Sequence, residues 1–303
     1  MIDKVLGIRR PLVLAPMGFV SGGALAAAVS EAGGLGMIGA GYGDARWIDE
    51  QFRLARGARV GVGFITWSLA RQPQLLDQAL AYGPCAVMLS FGDPAPFAEK
   101  VRAAGAKLIL QVQDLETTRE ALRARPDAIV VQGTEAGGHG GSRSLFALLP
   151  AVQRIAGGIQ ILAAGGIADR RGYEAALALG AGGALIGTRF IACDESLAAP
   201  AAKQRVVAAN GDSTLRTTVF DVVRGYDWPA RFTGRALKNA FSAAWHGNEA
   251  ALKGQLERER TRYLAAAERR DYDTAVIFAG EAVDLVDEIL PAAKLVDRLC
   301  GAS

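Results

Sequence analysis

The chain has 303 residues, half of them apolar, with 34 basic against 31 acidic side chains and a net charge of +3. That is enough apolar material for one large α/β domain or two smaller ones, and the interleaved charges leave no footprint for nucleic acid and no charged tail. The opening Met1-Ile2-Asp3-Lys4-Val5-Leu6 lacks the apolar core of a signal peptide, and no run of about 18 apolar residues free of charge or glycine marks a membrane span.

In chain order, short apolar runs alternate with segments of helical spacing. Runs expected as buried strands are 12–15, 36–38, 60–65, 86–89, 108–112, 129–131, 161–164 and 184–186. Helical spacing falls at 23–32, 46–56, 73–82, 96–104, 115–123, 145–155 and 171–179. Uninterrupted apolar strands belong to parallel sheets covered on both faces. Eight of them in alternation predict an α/β fold, a TIM-like (β/α)₈ barrel, over a doubly wound open sheet. No Gly-x-Gly-x-x-Gly follows the first strand, where Leu14-Ala15-Pro16-Met17-Gly18 turns through proline instead. Residues 198–209 read as the last barrel helix. The stretch 212–228 has no clear period, and 249–270 and 281–299 read as helices. The expected division is therefore a cofactor-binding barrel over 1–210 and a helical extension over 211–303, packed beside the barrel and its site.

The sixth strand runs into Gln132-Gly133-Thr134-Glu135-Ala136-Gly137-Gly138-His139-Gly140-Gly141. Glycine so concentrated implies unusual dihedrals or backbone lying against a ligand. A histidine on such a loop reads as a catalytic base facing a cofactor; a solvated loop histidine is the alternative. Glu135 could orient it or be a surface charge. Strand seven ends in Ala164-Gly165-Gly166-Ile167 and strand eight in Gly187-Thr188-Arg189-Phe190. Loops at these two positions commonly build a phosphate site in such barrels, from bare N–H groups and a short helix. Thr188 adds a hydroxyl; Arg189 could add charge or point outward. His246 lies near a helix end and reads as a cap. Cys85, Cys193 and Cys300 are too scattered for a disulfide framework or, with two distant histidines, for a metal site. A reducing, cytoplasmic setting follows.

Taken together, Pro11 to Gly18, Ala27 to Gly36 with its Glu-Ala-Gly-Gly-Leu-Gly, the Glu-Ala-Gly-Gly-His loop, and the Gly-Gly-Ile-Ala-Asp and Gly-Thr-Arg-Phe turns resemble the nitronate monooxygenase family. The likeness covers residues 8 to 196 with order and spacing kept. Thr217-Thr218-Val219-Phe220-Asp221 and Trp228-Pro229 through Leu237 are similar but less distinctive. The resemblance implies an FMN-dependent oxidoreductase that converts alkyl nitronates, or nitroalkanes, with O₂ to a carbonyl compound and nitrite. It allows a homodimer. By the same resemblance His139 is the catalytic residue, and Gly165, Gly166, Gly187 and Thr188 hold the flavin phosphate. Ala15, Pro16, Met17 and Gly18 lie along the ring, Gln111 contacts it, and Gly133 and Gly138 complete the cofactor site.

One departure stands out. The family often carries asparagine on strand three, where this chain has Gly61-Val62-Gly63-Phe64. That loses a side-chain hydrogen bond to the flavin and suggests a different substrate pocket, with Phe64, Ile65 and Trp67 as an apolar wall; ordinary barrel-end packing is the alternative reading of these residues. Related flavin barrels share these loops, among them enoyl-acyl-carrier and quinone reductases that use NAD(P)H, and they remain the alternative function.

Overall fold

The structure, a computed structural model, describes residues 1–301. Eight strands run parallel: β1 (Leu12–Leu14), β2 (Met37–Gly39), β3 (Gly61–Ile65), β4 (Ala86–Ser90), β5 (Lys107–Val112), β6 (Ala128–Gln132), β8 (Gln160–Ala164) and β9 (Gly183–Ile186), with the short β7 (Gly138–Gly140) inserted after β6. Their order is β1-β9-β8-β6-β5-β4-β3-β2. A parallel bridge from Val13 to Leu35 brings the two edges together, giving a TIM (β/α)₈ barrel.

Side chains alternate across each strand, which sorts the core into two layers. Val13, Met37, Met88, Ile109, Val130 and Leu162 fill the barrel axis, and Ile2 and Leu6 of the first helix (Ile2–Leu6) close it from below. The alternate residues, such as Leu12, Val62, Val87 and Leu108, pack outward against the helices. This alternation aims Gln111 and Gln132, each two residues beyond an axial residue, at the C-terminal mouth.

Two expectations change. The helix Pro200–Val207 forms, but the eighth place in the outer ring is taken by Ala292–Cys300, which packs against both Gly23–Glu31 and Arg170–Ala178. The C-terminal amphipathic helix expected over 281–299 is broken by Pro291, leaving a 3₁₀ turn at Glu281–Leu285 and the helix Ala292–Cys300. Proline has no N–H for the ladder and restricts the residue before it, so it begins a helix better than it continues one.

The region after the barrel is also not wholly helical. β10 (Thr214–Thr217) and β11 (Thr233–Leu237) pair antiparallel, and β7 joins β11 as a third strand. The helices Val219–Arg224, Ala240–Trp245, Glu249–Gly254 and Leu256–Glu268 surround this ribbon, with Phe220, Phe241, Leu252 and Tyr263 as their core.

Candidate active site

The ribbon determines where His139 stands. His139 on β7 is opposite Gly234 on β11. A Cβ at position 234 would lie 2.8 Å from Phe278 and 3.5 Å from His139 Nε2, so glycine lets the two strands close over the imidazole. Two arginines clamp the preceding loop: Arg216 and Arg235 both donate to the Thr134 carbonyl, and Arg216 also donates to the Gly140 and Thr233 carbonyls. Burial pulls the Arg216 guanidinium down to about 10, still a cation at neutral pH. Gln132 donates to the His139 carbonyl at 3.0 Å and accepts from Gln111 and Gln113.

His139 is only 8 % exposed. Its Nε2 lies 2.8 Å from Asp221 Oδ2, and Asp221 Oδ1 accepts from Arg224 at 3.0 Å. Among the described residues Nδ1 has no hydrogen-bond partner, and His139 lines the main cavity. A carboxylate at Nε2 selects the tautomer with Nε2–H, which leaves the Nδ1 lone pair available. Burial holds the imidazole below its ordinary value of 6.5, outweighing the opposite pull of Asp221. The ring is therefore neutral at pH 7 and can accept a proton. Trp228 stacks flat on it, centroids 3.5 Å apart and planes within 3°. The indole N–H in turn donates to Tyr42 Oη at 3.0 Å, and Tyr42 stacks on Tyr226.

The cavity, about 580 Å³, opens at the C-terminal mouth of the barrel. That volume lies in the range of small-molecule and cofactor sites. Its walls include Ala15, Pro16, Met17 and Gly18, then Gln111, Gly138 and His139, and at one end Gly165, Gly166, Gly187 and Thr188. Gly165 (φ 100°) and Gly166 (φ 72°) take left-handed backbone, and a Cβ on Gly165 would come within 3.1 Å of Ala136 N and the Gly133 carbonyl. Gly138 (φ 73°) presents bare backbone with nothing within 4 Å of where its Cβ would be. Thr188 Oγ1 accepts from the Gly280 N–H at 2.9 Å, tying the start of the 3₁₀ turn Glu281–Leu285 to this part of the cavity. A cavity of this size that combines bare glycine backbone with apolar wall residues fits a flavin.

Other sequence expectations land elsewhere. Gly133 is off the cavity wall: a Cβ there would meet the Glu135 carboxylate and Leu145 N. Glu135 neither orients His139 nor faces solvent freely; both its oxygens accept from Leu145 N, at the start of the helix Leu145–Gln153. Phe64 borders the cavity, but its ring packs outward with the strand–helix layer, because Gly63 occupies the inward position. Trp67 stands behind Trp228, rings 5.5 Å apart, and does not reach the cavity. Arg189 is buried and donates to the Glu288 carbonyl, away from the glycine end. His246 ends the helix Ala240–Trp245, as expected of a cap, with Nδ1 3.1 Å from Thr217 Oγ1. The missing asparagine does not widen the pocket: a Cβ at 63 would lie 2.3 Å from the Pro16 ring, which already fills that space.

Asp221, Arg224, Trp228 and Phe91 were not assigned from sequence. Asp221 is 82 positions from His139, and nothing in either local pattern pairs them. The signals were the Thr217 to Asp221 block and the stretch beginning Trp228-Pro229, both similar to the family but without an evident role.

The comparisons agree with this geometry. A family model described as nitronate monooxygenase matches residues 1–79 and 67–301. A nitronate monooxygenase of Metarhizium robertsii is 34 % identical over 95 % of this chain and 89 % of its own length. The structure of FabK from Thermotoga maritima superposes with a TM-score of 0.84 at 29 % identity, covering 98 % of this chain and 94 % of that one. A nitroalkane oxidase from Streptomyces ansochromogenes superposes at 0.81 with 30 % identity, covering 98 % and 96 %.

Proposed function

The chain belongs to the nitronate monooxygenase family, and from that premise we propose that it uses FMN and O₂ to turn alkyl nitronates into a carbonyl compound and nitrite, with His139 as the base that makes the nitronate when a neutral nitroalkane is the substrate. It is a flavin-dependent oxidoreductase acting on small molecules, and it oxidises nitronates. The observation that supports the assignment of His139 best is its Nε2–Asp221 contact, which leaves Nδ1 as the available ring nitrogen on the cavity wall.

Gly165, Gly166, Gly187 and Thr188 would hold the FMN phosphate, with Ala15 to Gly18 and Gln111 along the ring. When bound, the flavin supplies the electron-accepting chemistry that no side chain here can. The protein's own contribution is position and protons. For a neutral nitroalkane, Nδ1 of His139 takes the α-proton, and the C–H electron pair passes into the nitro group to give the nitronate. Asp221 keeps the Nε2–H in place and offsets the imidazolium charge that forms. Trp228, held by Tyr42, fixes the ring plane and covers it from water. A nitronate supplied ready-made skips the proton step, so His139 is then needed only for orientation.

The test is direct. Purified yellow protein given ethylnitronate in air is expected to release nitrite and consume O₂, and its visible absorbance should not respond to NADH. Loss of flavin absorbance with NADH, and no nitrite from the nitronate, would replace this reading with a nicotinamide-dependent reductase.

A further inference from the structure

Phe91 follows β4 directly and takes a left-handed backbone, φ 65°. A bulky aromatic residue with positive φ is an outlier, and such strain gathers at ligand sites. The strain has a visible result. It turns the half-buried ring into the cavity wall, edge-to-face against Trp228 at 5.1 Å and Phe232 at 5.1 Å. Trp228 is the same indole that lies flat on His139, and Tyr42 lies 6.3 Å from it at 86°. Ile65 and Met88 add apolar wall beside them. The proton-accepting ring is thus reached along an aromatic surface.

Charge along the wall is already engaged there. Arg224 is bound to Asp221 Oδ1 and to the Phe220 carbonyl, and Glu135 is bound to Leu145 N. The remaining charged wall residue among those described, Arg270, belongs to the segment beside Tyr272, which packs with Ala202 and Ile277 rather than with the Phe91–Trp228 group. A substrate bearing a carboxylate would bring a second negative charge to an aromatic wall with no free cation among its described residues to meet it, whereas a phenyl or branched alkyl group would bury apolar surface.

We propose that the wall formed by Phe91, Trp228 and Tyr42 selects nitronates carrying an aryl or bulky apolar substituent, and that Phe91 is the specificity-determining residue. The proposal rests on the nitronate-oxidising reading above and adds the class of substrate. Glycine accepts φ 65° without strain, so Phe91→Gly removes the ring while keeping the backbone; Phe91→Leu keeps apolar bulk.

The experiment measures kcat/KM by nitrite release from 2-phenylethylnitronate, ethylnitronate and propionate 3-nitronate, all preformed, for the flavin-loaded wild type and both variants. One methylene in an apolar pocket is worth about 10-fold or more. The phenyl substrate is therefore expected to exceed propionate 3-nitronate by at least about 10-fold. Phe91→Gly should lose about 10-fold on the phenyl substrate and less than about threefold on ethylnitronate, with Phe91→Leu between. Preference for propionate 3-nitronate, or an equal loss on all three substrates, overturns the proposal while leaving nitronate oxidation intact. No nitrite from any of the three removes the reading on which it rests.

Discussion

Replacing Asp221 by asparagine separates proton transfer from the rest of the reaction. Asp221 is 4 % exposed, and its two oxygens meet His139 Nε2 at 2.8 Å and Arg224 at 3.0 Å. The amide in Asp221→Asn would keep the shape and could still accept from Nε2–H, but it would remove the negative charge that steadies the imidazolium formed when Nδ1 takes a proton. A hydrogen bond to a charged group contributes about 1.5–3 kcal/mol, so kcat on neutral nitroethane should fall about 10- to 100-fold. Ethylnitronate arrives without the proton and should lose less than about threefold.

The pH dependence provides a second, independent reading. Burial holds His139 below 6.5, and Asp221 opposes that shift. Activity with nitroethane depends on the neutral ring, so it is retained above the folded-state value and lost as pH falls through it. Removing the Asp221 charge lowers that value further, and the acid limb should move to lower pH. The assay is nitrite release against pH for both substrates, normalised to bound flavin. Equal losses on nitroethane and ethylnitronate, or an acid limb that stays in place, would refute the role given to Asp221.

Gly63→Asn, which restores the residue common in the family, should destabilise rather than add a flavin contact. Its Cβ would sit 2.3 Å from the Pro16 ring, an overpacking cost of about 1–3 kcal/mol that a thermal melt would show as a Tm lower by several degrees. Gly165→Ala forces an L-residue to φ 100° against Ala136 and Gly133. At about 1–3 kcal/mol of strain, the purified variant should carry less flavin, read from the ratio of visible to ultraviolet absorbance. His139 also links folding to pH. Its folded value lies below 6.5, so the unfolded chain takes up this proton first. The group costs nothing well above pH 6.5 and destabilises progressively below it; urea midpoints for wild type and His139→Asn should converge or cross between about pH 7.5 and 5.5.

The barrel was legible because its strands are continuous apolar runs, while Gln111 was named only through the family resemblance, and its place on the cavity wall follows from the alternation along β5. The glycine loops were legible for a related reason: Gly165 and Gly166 need left-handed backbone that few other residues accept. What eluded the sequence is mostly long-range. The His139–Asp221 contact depends on a three-stranded ribbon whose members, β7, β10 and β11, carry polar residues and glycine instead of apolar runs, with β7 and β11 pairing across nearly 100 positions. Phe64 and Trp67 were placed by nearness along the chain, yet the pleat sends Phe64 outward and Trp228 stands between Trp67 and the cavity. The helix Ala292–Cys300 occupies the eighth place in the ring because the chain returns to the barrel after the ribbon, a path that local spacing does not encode. Gly63 suggests a different substrate pocket when read from the sequence, but the space its side chain would need is filled by the Pro16 ring.

The most direct test of the account is the rate of nitrite release by flavin-loaded His139→Asn with nitroethane and with ethylnitronate. Loss of the base should cost about 10²- to 10⁴-fold on nitroethane and leave ethylnitronate within about tenfold of wild type. Nitroethane turned over at the wild-type rate, or never turned over by the wild type at all, would contradict the assignment of His139 as the base.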